Sequence, residues 1–211
     1  MSVMRLLRII GPALLLAAAC SPRAAPLAGV PTPRHLPSTE LPPVHRKIVF
    51  SFDYSQPDLR IRGDGVARIS PPDSARLDFF VNGQGTGHAL LVGDDIRLQD
   101  GEDRMRDLLP PAPLLWATLG RLHVPPAADT TVRVDADTLR IDIGQTSGWR
   151  ATFAGERLRR LEQIDGGRIP QWVSRPEGGP IRYEQPRRRR LLQLTVTRVD
   201  TVPGFDASIW R

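Results

Sequence analysis

The chain lacks a second cysteine, a long apolar run beyond its first twenty residues and, apart from Lys47, any lysine. One cysteine cannot form a disulfide within the chain, and no later run is long enough for a helix to span a bilayer. The basic residues are therefore arginines, which are interspersed with Asp and Glu almost throughout. This mixed charge, +6 for the whole chain, argues against a nucleic-acid partner.

Signals for catalysis are also missing. The four histidines are scattered along the chain without the spacing of metal ligands: His35, His45, His88 and His123. No G-x-S-x-G nucleophile motif is present. The sequence therefore predicts a protein that is not an enzyme and that needs no metal or cofactor.

What is present begins with an export signal. Arg5 and Arg8 precede an apolar run from Ile9 to Ala19, as in the n-region and h-region of a signal peptide. This run falls well short of the about 20 residues that cross the hydrocarbon core as a helix. Residues 1–19 are therefore predicted to be removed.

The only cysteine, Cys20, directly follows Leu16-Ala17-Ala18-Ala19, a pattern that resembles the lipobox of bacterial lipoproteins. The resemblance implies that Cys20 starts the mature chain and carries acyl groups such as palmitate, which anchor it to a membrane. By resemblance to proteobacterial lipoproteins, Ser21 in place of Asp after the cysteine implies a location in the cell envelope, at the periplasmic face of the outer membrane. The alternative is ordinary cleavage near Cys20 that leaves an incidental thiol.

Residues 20–46 are rich in Pro, Ala and Ser and show almost no hydrophobic periodicity. This composition favours extended polyproline II and predicts a tether that spans roughly 3 Å per residue. Residues 47–211 have the size of one domain with its own core.

Most of this domain has a period-two hydrophobic pattern, typical of strands with one apolar face. Three clear examples are Ile48, Phe50, Phe52 and Tyr54; Leu77, Phe79 and Val81; and Leu192, Leu194 and Val196. Turn sequences are predicted at Gly63-Asp64-Gly65, Asn82-Gly83, Asp135-Ala136-Asp137 and Asp165-Gly166-Gly167. Short turns imply antiparallel neighbours, and about ten strands in one domain must curl. The predicted fold is mainly β, a curled antiparallel sheet or unclosed β-barrel.

Residues 102–122 interrupt this pattern with the spacing of two short helices. Their apolar faces hold Met105, Leu108 and Leu109 before Pro110-Pro111, and Leu115, Leu119 and Leu122 after Pro113. Helices of this length are not stable alone. We expect them to lie as a lid against the concave face of the curled sheet.

Five segments follow one another in a recognisable order: GDGVARISPPDSARLDFFVNGQGTGHALLVGDDIRLQD, LLPPAPLLWATLGRLHVP, DTLRIDIG, LRRLEQIDGGRIPQWVSR and RRRLLQLTVTRVD. Their order resembles that of the elements in the LolA/LolB superfamily of periplasmic lipoprotein carriers and receptors, and the similarity covers about residues 48–199. The resemblance implies an unclosed β-barrel covered by helices. It also implies a cavity between sheet and helices that binds acyl chains of lipoproteins or other lipids.

In this chain such a cavity would lie between the apolar sheet face and the helices. The predicted lining is Phe50, Phe52, Leu77, Phe79, Leu115, Trp116, Leu119 and Leu194. Periodicity is equally compatible with a closed core, in which these side chains pack against one another.

Two further motifs have competing interpretations. Arg187, Arg188, Arg189 and Arg190 are candidates for contact with anionic lipid phosphates, or they form a solvated loop that leads into the last long strand. Gly83-x-Gly85-x-Gly87 resembles a phosphate-binding loop. Because a strand-like segment and not a helix follows it, we predict a hairpin turn.

Two functions remain open. The first is a membrane-anchored lipoprotein that binds acyl chains of lipid or lipoprotein cargo and takes part in envelope trafficking. The second is a non-catalytic structural or interaction lipoprotein, whose core is filled and which recruits an envelope protein partner. An open or a filled space between residues 102–122 and the sheet distinguishes them.

Replacing Cys20 by Ser should abolish acylation, because serine has no thiol to receive the lipid. We expect the unmodified chain to incorporate radioactive palmitate in a bacterial host, and the C20S variant to remain unlabelled at an equal level on an immunoblot. An unlabelled wild-type chain beside a labelled reference lipoprotein would show that the thiol is incidental.

Overall fold

The computed structural model describes residues 21–33, 37, 41–98, 103–144 and 146–210. The predicted signal peptide and Cys20 lie outside the described residues. The strands are β1 (Val30–Pro31), β2 (His45–Gln56), β3 (Leu59–Ser70), β4 (Ser74–Val81), β5 (Gln84–Val92), β6 (Asp95–Leu98), β7 (Thr130–Asp135), β8 (Thr138–Ile143), β9 (Ser147–Ala154), β10 (Arg157–Asp165), β11 (Trp172–Ser174), β12 (Ile181–Gln185) and β13 (Arg190–Val202). The helices are α1 (Asp103–Leu108) and α2 (Ala112–Thr118).

All the strands belong to one antiparallel sheet. Its order is β1-β7-β8-β9-β10-β11-β12-β13-β2-β3-β4-β5-β6, so β1 and β6 are its two edges. The sheet is not closed into a barrel within the described residues. This confirms the predicted mainly β fold, a curled sheet with two short helices, although it has thirteen strands where about ten were expected.

The two faces of the sheet follow the period-two pattern of the sequence. The concave face carries the core, including Phe50, Leu77 and Leu194, each less than a tenth exposed. The other face carries cross-strand ion pairs between residues opposite each other in the ladder. Arg62 Nε lies 2.7 Å from Asp53 Oδ2, and Arg150 Nε lies 2.7 Å from Asp142 Oδ1. These pairs account for the mixed charge of the sequence.

The prediction of a turn at Gly63-Asp64-Gly65 is wrong, because these residues lie in the middle of β3. In the ladder Gly65 is opposite Phe50 and Gly63 is opposite Phe52. A Cβ at Gly65 would stand 2.4 Å from Phe50 Cζ, and a Cβ at Gly63 would stand 2.9 Å from Phe52 Cε1. The two glycines therefore leave room for the phenyl rings to lie on the neighbouring strand.

Other predicted turns are confirmed. Asn82 and Gly83 connect β4 and β5 with φ values of 53° and 76°, as a two-residue turn of type I′ requires. The glycine-rich segment that begins at Gly83 is therefore a hairpin turn and the start of β5. Ala136 also has a positive φ, 54°, in the turn between β7 and β8.

The described part of the segment predicted as a tether lies against the sheet. The Ile169 amide donates to Pro22 O at 2.8 Å, and the Ala24 amide donates to Gly167 O at 3.0 Å. Further along, β1 pairs with β7. Leu41 is 8% exposed and belongs to the core. Residues 21–31 therefore follow the sheet and do not extend away from it.

Antiparallel pairing places alternate turns at opposite ends of the sheet, which we name by the two ends of β2. The Gln56 end holds the turns at 57–58, 82–83, 166–167 and 186–189. The His45 end holds the turns at 71–73, 93–94 and 155–156 and the connection 175–180. Since Pro22 and Ala24 bond to the 166–169 region, the described chain begins at the Gln56 end.

Gly65→Ala should destabilise the fold, because its methyl group overlaps the ring of Phe50. We expect a loss of about 1–3 kcal/mol in the free energy of unfolding, measured by urea denaturation. Gly204→Ala is the matched control, since no atom lies within 4 Å of a Cβ there. Adding Phe50→Leu to the first variant should restore part of the loss. Equal midpoints for the two alanine variants would contradict the close seating of the ring.

Candidate functional site

Helix α2 fills the middle of the concave face. Leu114, Leu115, Trp116 and Ala117 are each at most 1% exposed, and the helix packs against β10, β11 and β12. The sequence of α2 is apolar on every side, and a helix of this kind is buried on every side. The expectation that both helices form a lid over a hollow is therefore wrong for α2, which fills the space on the concave face itself.

Polar contacts hold the C-terminal half of this helix. Trp116 Nε1 donates to the carbonyl of Gly93 at 2.7 Å, which joins α2 to the turn between β5 and β6. At the C-terminus, Arg175 Nη1 donates to the carbonyls of Ala117, at 3.4 Å, and Thr118. Such carbonyls have no partner within the helix. Arg175 thus acts as the C-terminal cap of α2.

One cavity lies beside α1 at the Gln56 end of the sheet, and we call it the α1 cavity. It has a volume of about 470 Å³ and no charged side chain among its described lining. The lining residues are Phe52, Tyr54, Ile61, Phe79, Val81, Thr86, Met105, Leu108, Leu109 and Leu192. The Tyr54 hydroxyl donates to Gln56 Oε1 at 2.8 Å, so the phenol is satisfied without a ligand. This lining suits hydrocarbon.

A second cavity lies beyond the C-terminus of α2 at the His45 end, and we call it the arginine cavity. Its volume is about 860 Å³. Its apolar floor includes Ile48, Phe50, Leu77, Leu119, Leu158, Ile181 and Leu194. Arg46, Arg159 and Arg175 also line it, together with Glu156 and Glu177. Both volumes are in the range of about 300–1,000 Å³ that is typical of ligand pockets.

The single lining predicted from the sequence is divided among three places. Phe50, Leu77, Leu119 and Leu194 line the arginine cavity. Phe52 and Phe79 line the α1 cavity. Leu115 and Trp116 belong to the packed core between them. The ring centroids of Phe50 and Phe79 are 6.2 Å apart in a T-shaped contact, so an aromatic pair separates the two cavities.

The arginine run is placed at the Gln56 end. Arg187 and Arg188 lie in a short 3-10 turn, Arg189 follows it with a φ of 49°, and all three are exposed. Arg190 begins β13 and points inward, where it interacts with the hydroxyls of Tyr54 and Tyr183. Burial raises the pKa of Tyr54, and Arg190 partly opposes this rise. Only the first three arginines therefore share one solvent-facing turn.

Sequence reasoning missed the arginines of the second cavity. Arg46 was assigned to the end of a tether, and Arg175 is one of many scattered arginines in the sequence. The signal that could have identified Arg46 is its position in β2. It lies two residues before Ile48, so alternation places it on the same face as Ile48, Phe50 and Phe52. An arginine on the apolar face of a strand calls for a polar partner inside the fold.

Among the described residues, no three side chains of His, Cys, Asp or Glu come together as a metal site requires. Within the same ranges, no helix has the length and apolar character needed to cross a membrane.

Comparison with known proteins finds likeness only in three-dimensional structure. No protein-family profile matches the chain, and no curated protein matches its sequence. A LolA superfamily protein from Nitrosomonas europaea is 11% identical, with a TM-score of 0.48 over 82% of this chain and 92% of that chain. A DUF1329 family protein from Desulfovibrio piger is 9% identical, with a TM-score of 0.48 over 79% and 89%.

A third solved structure is a domain assigned to an outer membrane lipoprotein-sorting protein of Vibrio parahaemolyticus. It is 9% identical, with a TM-score of 0.39 over 82% of this chain and 91% of that chain. Because all three TM-scores lie below 0.5, these likenesses add nothing to what the geometry of the chain itself shows.

Amide hydrogen exchange should distinguish the buried helix α2 from a mobile lid. The amides of Leu119 and Arg121 donate to Trp116 O, both at 3.0 Å, and the helix is enclosed by the sheet. We expect peptides that cover α2 to be protected like those of the central strands, because opening α2 requires the core to open. The exposed turn at Asn82-Gly83 serves as the fast-exchanging reference. Exchange of α2 at the rate of that turn would contradict its role as a fixed part of the core.

Proposed function

We propose that this chain is a membrane-anchored envelope protein that binds acyl chains of lipid or lipoprotein cargo in the α1 cavity. The observation that carries the proposal is the uncharged lining of that cavity, built from Phe52, Phe79 and Leu192 of the sheet and Met105 and Leu108 of α1. An apolar space of this size stabilises hydrocarbon that would otherwise be exposed to water. Binding then needs no cofactor and no chemical step.

Helix α1 is the movable element in this proposal. Its residues Met105 and Leu108 are only partly buried, and Arg106 and Asp107 are exposed. A six-residue helix has little stability of its own. Acyl chains would enter by displacing α1 from the Gln56 end of the sheet, while α2 stays in place.

The start of the described chain supports a membrane at that same end. Ser21 is 4% exposed, and Pro22 bonds to Ile169 beside the 166–167 turn. If Cys20 is acylated, its lipid therefore begins close to the Gln56 end, without the long reach expected of a tether. The exposed turn of Arg187, Arg188 and Arg189 lies at the same end. Each of these charges contributes on the order of 1 kcal/mol near anionic lipid.

The alternative, a filled interaction lipoprotein, draws support from α2. Leu115 and Trp116 pack in the core and line neither cavity. A protein with that function would bind no apolar ligand, and its envelope partner would contact the outer surface.

Met105→Trp should block the α1 cavity, because the larger side chain would occupy the space beside Phe79. We expect the affinity for the neutral fluorescent probe N-phenylnaphthylamine to fall at least about tenfold, the equivalent of about 1.4 kcal/mol. Arg106→Trp is the matched control, since the neighbouring residue on α1 is exposed and outside the cavity lining. Equal binding by both variants would place the probe elsewhere, and absence of saturable binding to the wild-type chain would favour the interaction protein.

A further inference from the structure

Two arginines of the arginine cavity lack an acidic partner within the described residues. Arg46 Nε is buried and has no hydrogen-bond partner there. The described side-chain hydrogen bonds of Arg175 use only Nη1, which caps α2. None of the ion pairs among the described residues includes either side chain. Guanidinium groups removed from water in this way are costly unless an anion compensates them.

The acidic residues at the rim do not supply that anion. Glu177 is mostly exposed and pairs with Arg159 at 3.0 Å, and Glu156 lies exposed in the turn between β9 and β10. Burial, followed by the positive charges of Arg46 and Arg159, lowers the pKa of Arg175 to about 10. Burial is the largest cause, and the two neighbouring arginines add repulsion between like charges.

The floor of the cavity is apolar, and its apolar surface continues to the outside. Phe50, Leu77 and Leu194 form part of the floor. On β13, Val196 and Val199 line the same cavity and are 41% and 56% exposed. Exposed valines beside half-buried arginines make a site with one charged part and one hydrocarbon part. A small inorganic anion would use only the first of these.

We propose that the arginine cavity binds a single-chain amphiphile with an anionic headgroup, whose carboxylate or phosphate lies between Arg46 and Arg175 and whose alkyl chain lies along the floor from Leu194 to Phe50. Guanidinium groups pair with both kinds of anion through charge-assisted hydrogen bonds. This site is separate from the α1 cavity and does not depend on the function proposed for it. The two cavities would then recognise different parts of lipid molecules.

Arg46 is the residue that tests this proposal most directly. Arg175 also caps α2, so its replacement would disturb the core whether or not a ligand binds. Arg46 makes no described contact that explains its position on the apolar face. Its neighbour Lys47 has the same charge and lies on the other face of β2, since successive strand residues alternate.

The experiment is isothermal titration calorimetry of the purified Met105→Trp variant, in which the α1 cavity is blocked, with dodecanoate, dodecyl phosphate, dodecanol and acetate. We expect dodecanoate or dodecyl phosphate to bind, and the stronger of the two identifies the headgroup. Dodecanol and acetate should each bind at least about tenfold more weakly, because one lacks the anion and the other lacks the chain. Arg46→Gln should weaken binding of the charged amphiphile at least about tenfold, Arg46→Lys should recover part of it, and Lys47→Gln should leave it unchanged.

Several results would overturn the proposal. Dodecanol that binds as well as dodecanoate would remove the role of the charge, and acetate that binds as well would remove the role of the chain. An Arg46→Gln variant with unchanged affinity and an unchanged melting temperature would exclude Arg46 as the anion contact. Absence of binding by both charged amphiphiles would exclude the site. The Met105→Trp variant separates the two cavities, because it should lose the neutral probe and retain the charged amphiphile.

Discussion

The burial of α2 against the concave face is the contact on which the rest of the structure depends. An open sheet of thirteen strands presents a broad apolar face that cannot remain in water. α2 covers the middle of that face with side chains that are almost completely buried. Its short length gives it no independent stability, so the helix and the curvature of the sheet form together. Gly63 and Gly65 contribute by letting the rings of Phe52 and Phe50 lie flat on β3.

Because α2 occupies the centre, the space that remains is divided between the two ends of the sheet. The α1 cavity is uncharged and is covered by a helix with exposed residues. The arginine cavity is lined by charged residues that include Arg46 and Arg175. One uncharged cavity and one cavity with charged residues therefore arise from one apolar face. Phe50 and Phe79 form part of the wall between the two cavities through their ring contact.

The described N-terminal segment is attached to the sheet by backbone and side-chain hydrogen bonds. Its backbone bonds to the turn after β10 and its strand β1 extends the sheet beside β7. Arg150 and Arg133 also donate to the carbonyls of Ala25 and Gly29, at 2.7 Å and 3.0 Å. A proline-rich composition thus does not by itself produce a free tether, because proline carbonyls still accept hydrogen bonds at a sheet edge. This attachment places the start of the described chain at the Gln56 end of the sheet.

The sequence by itself determined the features that local physics decides: the strands from period-two alternation, the turns at Asn82-Gly83 and Ala136, and the two helices on either side of Pro110-Pro111. Only the tertiary structure decided the place of Gly63 and Gly65 inside a strand. Two nearby glycines predict a turn, and the phenyl rings that require them in a strand lie on the neighbouring strand. The tertiary structure also decided the docking of residues 21–31, the division of the hollow, and the meeting of Arg46 with Arg175. These features depend on contacts between residues far apart in the chain, and hydrophobic periodicity contains no information about which distant side chains share a cavity.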